Sequence, residues 1–319
     1  MKKIGILTSG GDGPGMNAAI RAVVRCALSK GLEVNGIIRG YQGLIDDEVV
    51  PMDHRSVSNI INRGGTILKT ARSEKFKTEE GERIAVATLK RHAIDALIAI
   101  GGDGTYRGAT RLYEKYGIAT IGLPGTIDND LYGTDQTIGC HTAVNTALES
   151  IDKIRDTAHS MERIFVIEVM GNQSGYIAMH VAMGAGAEDV IIPEQPFDYD
   201  ALYRDIKEGN KKGKISYMIV VAEGAGKAQD VAQKITEVTG LETRYVVLGH
   251  VQRGGTPVGT DRILATRLGA KAVDLLCDGI FGKAVGVLAD EINIIDLKAA
   301  SQRAFTKMDE YYRLIKILT

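Results

Sequence analysis

Short runs of residues typical of buried strands alternate along this chain with longer stretches whose apolar positions recur at helical spacing. The first such pair is a strand predicted at 4–8 and a helix predicted at 16–30. Further strands are predicted at 94–100, 118–123, 163–169, 189–192, 218–222 and 245–248, and further helices at 105–116 and 142–159. This alternation predicts an α/β protein with parallel sheets.

The length of the chain predicts two domains. Its 319 residues exceed one ordinary core, and we place the crossover between the domains near residue 138. The chain shows no Ser/Gly tract, charge block or internal repeat that would mark a flexible linker. We therefore expect two tightly packed domains with the functional site between them.

Charge and cysteine content narrow the partners and the compartment. The 39 Lys and Arg residues nearly balance the 40 Asp and Glu residues, so no nucleic-acid or membrane partner is expected, whereas a small anionic metabolite is compatible with this balance. The cysteines Cys26, Cys140 and Cys277 form no C-x-x-C pair and are odd in number, as in a reducing compartment. With neither a signal peptide nor a membrane-spanning run expected, the prediction is a cytoplasmic protein.

The buried run 96–100 ends in the loop Gly101-Gly102-Asp103-Gly104-Thr105. Glycines let backbone N–H groups approach a ligand, and the following helix offers its positive N-terminus to a phosphate. Asp103 would repel that phosphate unless a divalent cation lay between them, and Mg²⁺ is usually held by one or two carboxylates plus substrate phosphates. The loop predicts a Mg²⁺–nucleotide site. The alternative is an ordinary strand-to-helix turn that uses glycine for positive φ.

The loop 8–17, TSGGDGPGMN, follows the first strand and opens a helix. Its glycines do not follow the G-x-G-x-x-G spacing, and Pro14 lacks the N–H that a pyrophosphate would need, which disfavours a dinucleotide-dependent oxidoreductase. On the same helix Arg21 and Arg25 are four residues apart. They are either an anion site or a solvated face.

The loop 124–130, PGTIDND, follows another strand and supplies the Thr126 hydroxyl and two carboxylates. Phosphoryl transfer to an alcohol needs a carboxylate that accepts the hydroxyl proton close to a metal-bound nucleotide. We predict that Asp128 is this base. The alternative is an Asx-turn stabilised by the Asp and Asn side chains.

Polar and basic residues in the second half suit a phosphorylated substrate. Each lies at or near a strand end: Arg163, Met170, Gly171, Asn172, Glu223, Arg244, His250 and Arg253. Arginine forks match phosphate oxygens, and Glu223 is suited to accept hydrogen bonds from sugar hydroxyls. Taken singly, each arginine is more often a surface residue, and it is their coincidence with strand-end loops that favours a binding role. The histidines lack metal-ligand spacing, so no zinc site is expected.

Eight motifs occur in order along the chain: TSGGD at 8–12, PGMNAA at 14–19, NRGGT at 62–66, IGGDG at 100–104, PGTIDND at 124–130, DKIRDTA at 152–158, EVMG at 168–171 and LGHVQRGG at 248–255. Together they resemble the bacterial ATP-dependent 6-phosphofructokinase family over nearly the whole chain. The resemblance implies two Rossmann-like three-layer domains with mostly parallel sheets and an active site in the cleft between them. It assigns 1–138 plus 252–304 to an ATP-binding domain and 139–251 plus 305–319 to a sugar-phosphate-binding domain.

The activity that the resemblance implies is Mg²⁺-dependent transfer of the ATP γ-phosphoryl group to the 1-hydroxyl of fructose 6-phosphate, in glycolysis. The implied nucleotide-binding residues are Gly11, Arg72, Ser73, Gly102, Asp103, Gly104 and Thr105, with Asp103 on Mg²⁺. The implied sugar-binding residues are Thr126, Ile127, Asp128, Arg163, Met170, Gly171, Asn172, Glu223, Arg244, His250 and Arg253. Asp128, Thr126, Arg72 and Asp103 are the implied catalytic set, in which Arg72 bridges the transferring phosphoryl group.

The same resemblance implies a homo-oligomer, a homotetramer, because in that family the residues equivalent to Arg163 and Arg244 reach into the site from a neighbouring subunit. Relatives that use pyrophosphate typically carry Asp at the position of Gly104 and Lys at that of Gly125, so glycine at both implies ATP as donor. An effector site for ADP or phosphoenolpyruvate is implied at Arg21, Arg25, Arg155, Gly186, Glu188, Lys212 and Lys214.

Four positions depart from the family pattern. Asn172 replaces an arginine that resembles a second cationic stabiliser of the phosphoryl group, so slower turnover or a rearranged pocket is expected. His54, Asn59 and Ile215 replace an arginine, an aspartate and a lysine at the effector site, which predicts weakened effector control.

Two other functions remain as hypotheses. One is a different kinase that shares the GGDGT loop, such as an NAD or lipid kinase, although those lack the loops at 124–130 and 248–255. The other is a weakly active or regulatory nucleotide- and sugar-phosphate-binding paralogue, which only Asn172 favours. Retention of Asp103, Thr126, Asp128 and Arg72 argues against it, since a binding module needs no base beside a metal.

Overall fold

The structure is a computed structural model in which residues 1–304 and 308–318 are described. It divides into two compact units. The first consists of Met1–Ile127, Leu131–Thr142 and Arg253–Ala304, and the second of Asp128–Asp130, Ala143–Gln252 and the described C-terminal residues 308–318. The predicted second domain includes 305–307 and 319, which lie outside the described residues.

The strands and helices follow one another in alternation. The strands are β1 (Lys3–Thr8), β2 (Glu33–Ile37), β3 (Val49–Met52), β4 (Ala96–Gly101), β5 (Ala119–Pro124), β6 (Ile164–Val169), β7 (Asp189–Ile191), β8 (Tyr217–Ala222), β9 (Thr243–Val247), β10 (Lys283–Leu288) and β11 (Glu291–Asp296). The helices are α1 (Met16–Ser29), α2 (Gly40–Ile45), α3 (Glu79–Arg91), α4 (Asp103–Tyr116), α5 (Cys140–Ser160), α6 (Tyr176–Ala185), α7 (Tyr199–Lys211), α8 (Ala228–Thr239), α9 (Gly259–Cys277), α10 (Leu297–Ala300) and α11 (Asp309–Leu318).

The first unit is built on a seven-stranded sheet in the order β11-β10-β5-β4-β1-β2-β3. The five central strands pair in parallel, and the outer strands β3 and β11 pair antiparallel with their neighbours. Side chains of β4 alternate between two cores: Ile98 and Ile100 pack with α1 and α9, whereas Leu97 and Ala99 pack with α3 and α4. Helices therefore cover both faces of the sheet, which buries every residue of β4.

The second unit contains a four-stranded parallel sheet in the order β7-β8-β6-β9. Helices α7 and α8 pack on one face of it through an apolar cluster that includes Ile206 and Ile235. Strands β6 and β8 end level with each other, because Val169 pairs with Ala222. The residues that follow these two strands are thereby placed side by side.

The predicted α/β architecture with mostly parallel sheets is confirmed. The strand predicted at 94–100 is Ala96–Gly101, and the helix predicted at 142–159 is Cys140–Ser160. Strand β2 was not predicted, because Asn35 and Gly36 interrupt its apolar pattern; its place beside β1 comes from pairing with that strand. Within the described ranges no helix is long and apolar enough to cross a membrane.

Candidate active site

The loops that follow β1, β4 and β5 are joined by hydrogen bonds at one edge of the first unit's sheet. Ser9 N–H donates to the Ile100 carbonyl at 3.0 Å, and the Thr105 hydroxyl donates to the Ser9 carbonyl at 3.0 Å. Gly125 N–H donates to the Gly101 carbonyl at 3.1 Å. The strand-end loops predicted separately from the sequence therefore form one continuous backbone surface.

Close approach, and not positive φ, explains the glycine at position 101. A Cβ built on Gly101 would lie 2.3 Å from Thr105 Oγ1 and 2.4 Å from the Ser9 carbonyl oxygen. Gly102, which precedes α4, has φ of −89°, outside the left-handed region. The loop thus differs from an ordinary turn that uses glycine for positive φ. Gly101 is buried in it, whereas Gly102 is partly exposed and Gly104 is exposed.

Asp103 lies in the first turn of α4 with its side chain 22% exposed. Its Oδ1 accepts the Gly104 N–H at 2.5 Å, and its Oδ2 lies 2.9 Å from Arg107 Nη1 and 3.5 Å from Arg303 Nε. Among the described residues, no group of three or more His, Cys, Asp or Glu side chains is placed to hold a metal ion. A single half-exposed carboxylate of this kind fits Mg²⁺ that takes its other ligands from substrate phosphates and water.

Thr126 faces the same loop. Its Cβ would lie 3.7 Å from a Cβ built on Gly102. Thr126 and Asp128 are both half-buried, and Ile127 between them is 1% exposed. The buried Ile127 side chain anchors this short segment between the two polar residues, and Asp128 Oδ1 is itself shielded from solvent.

An aromatic pair packs beside the loop that follows β4. Tyr41 stacks on Phe76 with ring centroids 4.1 Å apart and donates its hydroxyl to the Thr105 carbonyl at 2.6 Å. Burial raises the pKa of Tyr41 well above its usual range, so its hydroxyl remains a donor. Ser73 donates to Gln42 Oε1 at 2.7 Å, and Arg72 beside it is exposed.

Arg253 contacts the loop that follows β1. Its Nη1 donates to the Asp12 carbonyl at 3.1 Å, and a Cβ on Gly11 would lie only 2.2 Å from that nitrogen. The sequence predicted contact with a sugar phosphate for Arg253, whereas the structure places its guanidinium on the backbone after β1. A side chain at position 11 would therefore displace the Arg253 guanidinium from this place.

In the second unit, the segment after β6 is fixed from two sides. Met170 N–H donates to Gln252 Oε1 at 2.9 Å, and Gln252 is fully buried. Glu223 Oε1 accepts the N–H groups of Gly171 at 3.2 Å and Asn172 at 2.7 Å. Four of the predicted sugar-binding residues, Met170, Gly171, Asn172 and Glu223, are thus brought together.

Arg163 and Arg244 are also brought together, through a residue that sequence reasoning missed. Arg163 Nε donates to Glu242 Oε2 at 3.1 Å, and Arg244 forms an ion pair with Glu242 Oε1. The signal for Glu242 was weak, since it is an acid next to an edge strand. His250 lies exposed in the turn 249–253.

The predicted effector residues of the second unit gather where α6 leads into β7. Arg155 donates to the carbonyls of Ala185 and Gly186. Glu188 accepts the Met218 N–H at 2.6 Å and lies 3.1 Å from Lys214 Nζ. Glu188, Lys212 and Lys214 line a cavity of about 480 Å³. Arg21 and Arg25 lie half-buried on α1 of the first unit.

Asp261 is a second residue that sequence reasoning missed. It is fully buried in the first turn of α9, and its carboxylate accepts hydrogen bonds from Gly139 N–H at 3.0 Å, Thr142 N–H at 2.8 Å and the Thr142 hydroxyl at 2.5 Å. These bonds fix the start of α5, just after the loop at 124–130. More than one hundred residues separate Asp261 from its partners in sequence, so no local pattern reveals the contact.

Comparison with known proteins defines the class. The chain belongs to the phosphofructokinase family, because residues 3–276 match the model described as phosphofructokinase. It is 56% identical over 305 residues to an ATP-dependent 6-phosphofructokinase 1 of Thermus thermophilus, covering 95% of each chain. It is 52% identical over 319 residues to an ATP-dependent 6-phosphofructokinase of Clostridium tetani, covering all of both.

Solved structures show the same fold. Phosphofructokinase from Saccharomyces cerevisiae superimposes with a TM-score of 0.87 at 36% identity, over 94% of this chain and 45% of that longer chain. A pyrophosphate-dependent phosphofructokinase from Marinobacter aquaeolei gives a TM-score of 0.84 at 22% identity, over 98% of this chain and 88% of that chain, which shows the fold alone.

Proposed function

We propose that this enzyme transfers the γ-phosphoryl group of ATP to the 1-hydroxyl of fructose 6-phosphate, giving fructose 1,6-bisphosphate and ADP. The observation that carries the proposal is the joined edge of strand-end loops, where Asp103 and Thr126 both flank the partly exposed Gly102. The relatives that are 52% and 56% identical over nearly full length, named ATP-dependent 6-phosphofructokinases, support the same reaction.

On the nucleotide side, the backbone of Gly11 and of 102–105 binds the polyphosphate, with Arg72 and Ser73 completing the contacts. Asp103 would hold Mg²⁺, which when bound neutralises charge on the phosphate oxygens. Arg72 is exposed at the end of this loop region. Its cation stabilises the charge that is redistributed as the phosphoryl group moves.

On the sugar side, Asp128 accepts the proton of the 1-hydroxyl as that oxygen forms its bond to the γ-phosphorus. The bond from the γ-phosphorus to the bridging oxygen breaks, and its electron pair leaves with ADP. Thr126, on the other side of the buried Ile127, orients the reactive end through its hydroxyl. This arrangement assigns proton transfer and orientation to neighbouring side chains.

The remaining sugar contacts come from Met170, Gly171, Asn172, Glu223, His250 and Arg253. Arg163 and Arg244, held together by Glu242, act in the site of a neighbouring subunit, so the active form is a homo-oligomer, a homotetramer.

We place the enzyme in the cytoplasm. The site at Arg21, Arg25, Arg155, Gly186, Glu188, Lys212 and Lys214 takes ADP or phosphoenolpyruvate as effector.

The choice of ATP over pyrophosphate rests on Gly104 and Gly125. A Cβ on Gly125 would lie 2.7 Å from Ile100 Cγ2 and 3.1 Å from Met16 Cε, so a larger residue there would have to displace these side chains. Beyond its chain neighbours and the helix backbone, a Cβ on Gly104 would meet only Arg107 among the described residues, at 3.8 Å, so this glycine leaves space above the loop for a nucleotide. A coupled assay with ATP or pyrophosphate as donor tests the assignment; turnover with pyrophosphate alone would contradict it.

The regulatory alternative has one supporting residue, Asn172. The comparisons do not favour it, because the relatives similar over nearly the whole chain carry the enzyme name. The joined nucleotide loops also keep the acid that a metal-dependent transfer needs. We therefore retain the enzyme as the function and treat Asn172 as a feature that changes its rate.

A further inference from the structure

Asp103, proposed to hold the metal, is paired with a residue that the proposed mechanism does not use. Arg107 lies one helical turn later on α4, and its Nη1 is 2.9 Å from Asp103 Oδ2. Arg303 adds a second cation, with its Nε 3.5 Å from the same oxygen. Asp103 therefore lies beside two guanidinium groups, of which Arg107 is the nearer.

The second nitrogen of Arg107 lies over the loop itself. Its Nη2 is 3.8 Å from the Cβ position of Gly104, and apart from the adjoining residues and the helix backbone no other described atom lies within 4 Å of that position. The Arg107 side chain is 56% exposed. A ligand that lies on the backbone of Gly104 therefore meets this guanidinium without any movement of the helix.

We propose that Arg107 is a further nucleotide-binding residue, which pairs with Asp103 in the free enzyme and contacts the terminal phosphate oxygens of the donor in the complex. This inference rests on the proposed function, because it takes the loop 101–105 to bind a nucleotide. When Asp103 takes a metal, the Arg107 guanidinium is left without its counterion next to a polyphosphate. A planar fork of N–H donors matches phosphate oxygens in two places at once.

If the ion pair between Arg107 and Asp103 only stabilised the helix, loss of Arg107 would not weaken nucleotide binding selectively. Exposed ion pairs at i and i+4 contribute little to stability, so replacing Arg107 should not unfold α4. The chain offers a matched control in Arg83, whose Nη2 lies 2.7 Å from Glu79 Oε1 with the same i and i+4 spacing on the exposed face of α3. Loss of that pair removes an equivalent ion pair away from the loops.

The test is calorimetric binding to the full-length protein without sugar substrate, so that no turnover occurs. We expect Arg107→Gln to bind the Mg²⁺ complex of the β,γ-imido analogue of ATP about tenfold more weakly than wild type. Its affinity for AMP, which lacks the terminal phosphates, should be unchanged. Arg83→Gln should match wild type with both ligands, and Arg107→Lys should recover part of the loss.

Equal affinity of Arg107→Gln and wild type for the analogue would overturn the assignment while leaving the proposed function intact. Equal weakening of AMP and the analogue would also overturn it, because that result indicates a distorted pocket. Failure of the wild-type protein to bind the analogue at all would contradict the proposed function itself, and with it the role of Arg107.

Discussion

Glu223 Oε1 accepts the backbone N–H of Asn172 at 2.7 Å. The same oxygen accepts the Gly171 N–H at 3.2 Å. Asn172 has φ of 53° and Gly171 has φ of 145°. A backbone of this shape is unfavourable for most residues and needs partners that hold it in place. Glu223 is predicted to bind the sugar. It therefore also holds the backbone of Gly171 and Asn172, two other predicted sugar-binding residues.

This double role predicts a graded response to substitution at Glu223. Glu223→Ala removes the acceptor for both N–H groups, and we expect the KM for fructose 6-phosphate to rise about tenfold or more. Glu223→Gln keeps an acceptor oxygen at the same place and should raise the KM by less. The KM for MgATP is the internal control and should change little. Equal sugar KM values for both variants and wild type would contradict the role.

The sequence predicted the strand-end loops because their signals are local. Glycines at 101, 102 and 104 follow directly on a buried strand, and parallel strands place such loops at one edge. The partners that position the loops could not be predicted in the same way. Asp261, Gln252 and Glu242 act on residues far away in sequence, and only the fold brings them close. The charge of Arg253 led to its assignment to a sugar phosphate, which stays a prediction, and its contact with Asp12 depends on the packing of two segments that are distant in sequence.

Asn172→Arg tests whether the missing cation limits turnover. A restored guanidinium next to the transferring phosphoryl group should raise kcat about 10²-fold. Asn172 has φ of 53°, a conformation that asparagine tolerates better than arginine, so the variant should lose about 1 kcal/mol of stability. Asn172→Gln is the matched control, since it carries a similar backbone cost without the charge. If kcat of Asn172→Arg equals or falls below that of wild type, the deficit hypothesis fails.

Asp189 predicts a specific dependence of stability on pH. It is 1% exposed on β7, and its Oδ2 lies 2.5 Å from Lys316 Nζ of α11. Burial raises the pKa of its carboxyl above the usual value, although Lys316 opposes the shift. The folded protein then binds the proton more tightly than the unfolded chain, so this group lowers the free energy of unfolding as pH rises above about 4.

Urea denaturation of wild type and Asp189→Asn from pH 4 to pH 7 measures this contribution as a difference. We expect wild type to lose stability relative to the variant as pH rises through the raised pKa. Asp152→Asn, which replaces an exposed acid on α5 of the same unit, serves as control and should give a flat difference. If wild type instead gains stability relative to Asp189→Asn as pH rises, the carboxyl is stabilised in its charged form and the prediction is wrong.

Effector control is expected to be weak. His54 and Ile215 leave the proposed effector site with fewer cations than the family pattern, and Ile215 is 39% exposed beside Lys214. Phosphoenolpyruvate should therefore inhibit poorly near neutral pH, and Ile215→Lys should strengthen inhibition severalfold by adding a cation. Initial-rate measurements with and without phosphoenolpyruvate check both statements. Strong inhibition of the wild-type enzyme would contradict them.

The central claim is that Asp128 takes a proton from the sugar hydroxyl while the nucleotide lies on the joined loops around Asp103. Phosphorus NMR of purified protein with MgATP and fructose 6-phosphate measures the products directly. We predict equal amounts of ADP and fructose 1,6-bisphosphate from wild type, and a loss of at least about 10²-fold in rate for Asp128→Asn with binding of both substrates retained. Binding of both substrates by wild type without formation of the bisphosphate, or full activity of Asp128→Asn, would contradict the account.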